Sequence, residues 1–252
     1  MDWTEKIAAE RTKRQPMKTM ISAGGKQIEL YGRIDTGAPL VVYHAVHDEG
    51  DSLWAAFSKT ISGPVSLAVI NDIDWNNEMS PWAIPPISAK DTPCSGGADG
   101  CLVKLTEEIM PAVLGELPSK PETMILAGYS LAGLFALYAA YRTDIFTHIV
   151  SASGSLWYSG LVDYVKSNSM SKHVRSVYLS LGDKESHTRN KYLAAVEENT
   201  IEIEKHLILQ GMHTTYERNP GNHYQDAELR VAKGVKWTVE NCDEFSELHN
   251  VM

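Results

Sequence analysis

Met124-Ile125-Leu126-Ala127-Gly128-Tyr129-Ser130-Leu131-Ala132-Gly133-Leu134-Phe135 carries one apolar run through a glycine-flanked serine into another apolar run. The part from Thr123 to Tyr129 is short and apolar throughout, which is how a strand covered on both faces reads, and Leu131 to Tyr141 continues as an apolar helix. Strand, sharp turn, helix is the local geometry that lifts a serine hydroxyl clear of a sheet. The turn strains the backbone at its centre, so the residues two before and two after the serine must be small; Gly128 and Ala132 are, although glycine is usual at the second place. A serine before a helix also commonly caps it. The strand and helix on either side favour a nucleophile at Ser130, with the Leu131 N–H, at the start of the helix, as the first donor for an oxyanion.

Further strands are predicted at Met17 to Ala23, Gln27 to Ile34, Leu40 to Val46, Val65 to Ile70, His148 to Ala152, Ser176 to Leu181 and Thr214 to Arg218. Helical patterns cover Gly100 to Leu114, Gly160 to Asn168, Asn190 to Gln210 and Ala227 to Glu240. Alternation of this kind predicts an α/β protein with a mostly parallel central sheet and helices on both faces, since parallel neighbours need crossover connections. The two leading strands, with no helix between them, predict an antiparallel N-terminal edge. With the serine turn, this is the pattern of an α/β-hydrolase fold, and 252 residues suit one such domain over 1–252. Asn71 to Asp99 breaks the rhythm with prolines and two tryptophans, and irregular stretches of this length are commonly functional.

In this fold the acid and the histidine follow the serine, each after a later strand. Gly182-Asp183-Lys184-Glu185 follows the Ser176 to Leu181 strand. α/β-Hydrolases often carry Gly-x-x-Asp there, which puts Glu185 on the acid position; Asp183 is the alternative, or else caps the turn. Asn219-Pro220-Gly221-Asn222-His223 follows the next strand and precedes a helix, so His223 is the candidate base, with His187 as its rival. The second oxyanion donor of this fold comes from the loop after the third strand, here a backbone N–H of His47 or Asp48. Trp75, Trp82 and Trp157 fall in loops on the side where a parallel sheet presents its ligand and are candidate walls of a substrate pocket, or ordinary loop packing.

The net charge of -9 and the lack of clustered Lys and Arg beyond Arg11 to Arg14 argue against nucleic acid as a partner. Met1 to Ile7 lacks a secretory signal, no apolar stretch is long enough to span a bilayer, and three cysteines cannot all pair, so a cytoplasmic protein with no membrane partner is expected. Asp72, Asp74, Asn76 and Glu78 lack the turn glycine of a calcium loop, and Cys94 and Cys101 lack a second pair for zinc. No metal or cofactor is called for, because serine, acid and histidine supply the chemistry. The expected partner is a small-molecule ester.

Tyr43 to Asp51, Asp74 to Trp82, Gly128 to Gly133, Ser153-Gly154-Ser155-Leu156-Trp157, Gly182 to Glu185 and Pro220 to His223 together resemble the putative esterase family of α/β-hydrolases, over most of the chain. That family includes feruloyl esterases, S-formylglutathione hydrolases and enterobactin or other siderophore esterases. The resemblance implies ester hydrolysis through an acyl-serine, with Ser130, Glu185 or Asp183, and His223 on the triad positions. Arg189 is the cation it offers near the acid loop for a charged substrate. A thioesterase using the same residues, and a binding protein on a hydrolase scaffold, are the alternatives.

Overall fold

The computed structural model describes residues 18–32 and 37–249, with 242–249 described by backbone alone. Met17, residues 33–34 at the end of the second predicted strand, the Arg11 to Arg14 stretch and the Cys242 side chain lie outside the described residues.

The chain begins with a hairpin of β1 (Thr19–Ala23) and β2 (Lys26–Tyr31). Gly24 and Gly25 join them with φ of +58° and +72°, the left-handed pair that a two-residue hairpin turn demands. Then come β3 (Leu40–His44), α1 (Gly50–Thr60), β4 (Ser66–Ile70) and the short α2 (Trp75–Glu78). The strands β5 (Ala83–Ile84) and β6 (Cys94–Ser95) pair with each other. Helix α3 (Ala98–Lys104) passes through a π-helical turn (Leu105–Ile109) into α4 (Met110–Gly115). The rest is β7 (Met124–Tyr129), α5 (Leu131–Ala139), β8 (His148–Ala152), α6 (Leu161–Ser167), β9 (Ser176–Gly182), α7 (Lys191–Ala194), α8 (Val196–Leu209), β10 (His213–Asn219) and α9 (Ala227–His249).

Eight strands form one sheet in the order β1-β2-β4-β3-β7-β8-β9-β10. The β1–β2 and β2–β4 pairs are antiparallel and every pair from β4–β3 onward is parallel. Alternate strand residues face opposite layers, as the period of two requires. Val41, Tyr43 and Val69 pack with Leu53 and Phe57 of α1 and Val231 and Val235 of α9. Leu40, Val42, Leu126 and Ile149 pack with Leu105, Val113, Leu134 and Ile203 from the helices of the other face. Every residue of α5 is buried, which accounts for its being apolar all round. No helix among the described residues is long and apolar enough to cross a membrane.

The eight predicted strands all lie in the large sheet. Helix α1 is the main addition: β3 stops at His44, and Leu53 and Phe57, four residues apart, supply the buried face of a helix where a loop was expected to follow Val46. The Asn71 to Asp99 stretch is more ordered than its composition indicates, because α2 and the β5–β6 pair are too short to show periodicity. The predicted helix at 190–210 divides into α7 and α8 at Ala195, and α9 runs past 240 to His249.

Candidate active site

Ser130 sits between the end of β7 and the start of α5 with φ 58° and ψ -123°, a conformation that costs a non-glycine residue of order 1–3 kcal/mol. The surroundings hold it there: its carbonyl accepts from the N–H groups of Leu134 and Ser155 at 3.1 and 2.9 Å. The need for small neighbours is steric and quantitative. A Cβ on Gly128 would stand 2.1 Å from the Ala132 carbonyl oxygen, and one on Gly133 would stand 3.0 Å from Gly154 Cα. Leu131 opens α5 and lines the cleft, so its N–H belongs to the first helical turn, where no intrahelical acceptor exists.

His223 Nε2 lies 3.0 Å from Ser130 Oγ, and its Nδ1 lies 2.7 Å from Glu185 Oε2. Glu185 leaves the sheet after β9 with a side chain only 5% exposed, whereas the imidazole is 31% exposed toward the cleft. Burial pushes the Glu185 carboxyl up, but hydrogen bonds from His223, the Gly182 N–H and Ser153, with the charge of His223, outweigh it and hold the group below its usual 4.5. The two carboxylates left open by the sequence therefore divide. Asp183 does not meet the histidine; its Oδ1 accepts the Gly221 N–H at 2.8 Å and ties the two turns together. Glycine at 182 permits that approach, since a Cβ there would come within 2.3 Å of the Gly221 carbonyl oxygen. His187 stays exposed on the cleft rim.

The cleft beside Ser130 has a volume of about 680 Å³. Trp75 and Trp157 line it, with Ile84, Pro85, Pro86 and Ile87 as a further apolar wall. Cys94 also borders it, but burial raises its thiol above the ordinary value, which disfavours the thiolate form a nucleophile needs.

Four of the expected residues lie outside the cleft lining. Trp82 is not among the cleft-lining residues; its Nε1 donates to the Ser159 carbonyl, and its rings pack within 5.5–6.4 Å of Tyr138, Tyr158 and Tyr164. Arg189 is exposed and outside the lining, although His187 and Thr188 before it and Leu193 after it border the cleft. His47 and Asp48 are exposed and likewise outside it: β3 ends early, the Val46 N–H turns back to the Glu49 carboxylate, and α1 starts at Gly50. The loop after β4, with Trp75 and Asn76, borders the cleft instead.

Several partners escaped the sequence reading. Tyr129 donates its hydroxyl to the His223 carbonyl at 2.6 Å. Ser153, at φ 45°, donates to Glu185 Oε1 at 2.8 Å, and Ser155 Oγ lies 3.4 Å from Ser130 Oγ. Arg230, on α9, meets Glu185 Oε1 at 2.8 Å while almost wholly buried. Its legible signal is helical spacing: Arg230 falls on a stripe with Gly234 and Thr238, beside Val231 and Val235, so the pattern puts a charge where α9 must face the core.

Comparison with known proteins returns consistent relatives. The family model Esterase, described as putative esterase, matches residues 42–227. An IroE-like serine hydrolase from Shewanella oneidensis superposes with a TM-score of 0.72 at 15% identity, covering 90% of this chain and 81% of that one. The siderophore hydrolase EstA from Aspergillus nidulans gives 0.71 at 19% identity, covering 91% and 96%. The enterobactin esterase FES from Shigella flexneri gives 0.65 at 16% identity, covering 91% and 60%. These likenesses, with the strand order above, establish the α/β-hydrolase fold. The uncharacterized protein YbbA of Bacillus subtilis is 23% identical over 138 residues, 54% of this chain and 55% of that protein. The chain thus spans about half the length of the curated relative it matches.

Proposed function

The chain belongs to the putative esterase family, and from that premise we propose that it hydrolyses a carboxylic ester through an acyl-serine intermediate, with Ser130 as nucleophile, His223 as base and Glu185 as orienting acid. The observation that carries this reading is the continuous chain of contacts from Ser130 Oγ to His223 Nε2 at 3.0 Å and from His223 Nδ1 to Glu185 Oε2 at 2.7 Å.

In the first half-reaction Ser130 Oγ attacks the ester carbonyl and passes its proton to His223 Nε2. Glu185 keeps the other ring proton on Nδ1 and stabilises the imidazolium. The Leu131 N–H stabilises the developing oxyanion, and His223 then returns the proton to the departing alcohol. Water then attacks the acyl carbonyl and gives a proton to the same nitrogen, and as the acyl–Oγ bond breaks His223 returns that proton to Ser130, releasing the acid. Asp183 acts on the loop backbone and not on the imidazole, which favours Glu185 for the acid's part.

Trp75, Trp157 and the Ile84 to Ile87 wall suit a small-molecule ester with a flat aromatic or catecholate portion. Two of the structural relatives carry names that describe siderophore or enterobactin hydrolysis, which supports a siderophore-type ester as substrate. The cytoplasm is the proposed location, where the buried free thiols of Cys94 and Cys101 stay reduced.

The test is a panel of aryl acetate, feruloyl ester, catecholate-serine ester and S-formylglutathione, run on the wild type beside Ser130→Ala. The expected result is ester turnover that falls on the order of a thousandfold or more in the variant. Dominant activity on the thioester would move the reading to a thioesterase, and equal rates for the two proteins would end the hydrolase reading.

A further inference from the structure

We propose that Arg230 is a positioning residue for this reaction, one buried guanidinium that holds the acid and the loop of the base in a fixed relation. The proposal rests on the Ser130–His223–Glu185 reading above. Nη1 donates to Glu185 Oε1 and to Ser153 Oγ, each at 2.8 Å, and Nη2 donates to the carbonyl oxygens of Pro220 and Asn222 at 3.0 and 2.9 Å. The side chain is 1% exposed. Four separate segments meet on it: the turn after β9 with Glu185, the loop after β8 with Ser153, the loop after β10 with His223, and α9 itself.

The arrangement needs an arginine. Its planar fork addresses a carboxylate on one side and two carbonyls on the other, whereas the point charge of a lysine reaches one group at a time. Engaging Oε1 leaves Oε2 free to face His223, so the acid's orientation is set from behind. An apolar residue would fill the same stripe of α9 without burying a charge, and a buried ion pair is weak evidence for stability. The backbone around it is shaped to fit. Ser153 keeps φ 45° to present its hydroxyl, and a Cβ on Gly182 would stand 2.8 Å from Nη2. Arg230 lies beyond the 42–227 stretch covered by the family model.

The experiment compares wild type, Arg230→Lys and Arg230→Met on p-nitrophenyl acetate from pH 5.5 to 9, with thermal melts to establish folding. It also follows the low-field proton resonance of His223 Nδ1–H. For Arg230→Lys, kcat should fall about ten- to a hundredfold with KM within about twofold and the resonance weakened. Arg230→Met should lose at least as much kcat, because the fork that holds Glu185 Oε1 and the two loop carbonyls is gone. Folded variants that keep wild-type kcat and the resonance would overturn the proposal, as would a loss confined to KM. If the methionine variant does not fold, Arg230→Lys carries the test alone. The resonance reads Arg230 independently of turnover: Ser130→Ala retaining full activity would fell the hydrolase reading, while the resonance would still report whether Arg230 orders the Glu185–His223 pair.

Discussion

Glu185→Gln should abolish most turnover by forcing the wrong tautomer on His223. Glu185 Oε1 receives the Gly182 N–H at 2.6 Å, Arg230 Nη1 at 2.8 Å and the Ser153 hydroxyl at 2.8 Å. The serine can rotate its proton away, but the amide and the guanidinium can only donate. Only an oxygen can occupy that position, so a glutamine must turn its NH₂ toward His223 Nδ1. Nδ1 then has to accept, the ring proton moves to Nε2, and Nε2 can no longer take the proton of Ser130 at 3.0 Å. The size changes by no more than an oxygen for a nitrogen, so the loss is one of proton placement. We expect kcat to fall about 10⁴-fold, equivalent to about 5 kcal/mol in the barrier. Asp183→Asn is the control. Its carbonyl oxygen can still accept the Gly221 N–H, and turnover should stay within about fivefold of wild type, the range of one weakened, partly buried hydrogen bond. The assay is steady-state hydrolysis of an aryl acetate at pH 8, with circular dichroism to establish folding. A folded Glu185→Gln within tenfold of wild type, or an Asp183→Asn loss as deep as that of Glu185→Gln, would refute the reasoning.

Two other outcomes follow from the packing around the serine turn and the buried histidines. Gly128→Ala places a Cβ 2.1 Å from the Ala132 carbonyl oxygen, a backbone atom that cannot step aside, and should cost about 3 kcal/mol or more in urea unfolding or prevent folding. Ala132→Gly restores the commoner residue, should cost about 1 kcal/mol of helix propensity and leave turnover within severalfold; equal behaviour of the two variants would count against the steric account. Stability should also fall in mild acid. Burial pulls His44 and His148 down to about 3, with the Lys26 charge adding for the first and the Arg175 charge for the second. Their folded-state values lie below the unfolded one near 6.5, so the unfolded chain binds the extra protons. Their stabilisation is complete well above pH 6.5 and declines toward pH 3, by about 3 kcal/mol for the pair between pH 6.5 and 5. Glu185, held below its usual range, adds a further loss only as pH falls through its own folded value. Urea midpoints at pH 7.5, 6.5 and 5 measure this; a flat series would rule it out, and His44→Leu should remove about half of the decline.

By itself the sequence determined the elements whose signals are local. The β7 apolar run, the small residues at 128 and 132 and the all-apolar α5 specify the serine turn, because sterics within a few residues decide it. The eight strands were legible for the same reason, the central ones as short runs of buried side chains, and the chain order of Ser130, the 182–185 turn and His223 narrowed the site to a few candidates. Tertiary structure decided what depends on segments distant in the chain. Glu185 and Asp183 are two residues apart and chemically alike, so only the path of the β10–α9 loop directs one to the imidazole and the other to a backbone N–H. The same reason keeps Trp82 out of the cleft lining, since its ring folds into an aromatic cluster with Tyr138, Tyr158 and Tyr164. Arg230 is the clearest case, since a lone arginine on a helix stripe gains its role only when three loops converge on its buried guanidinium.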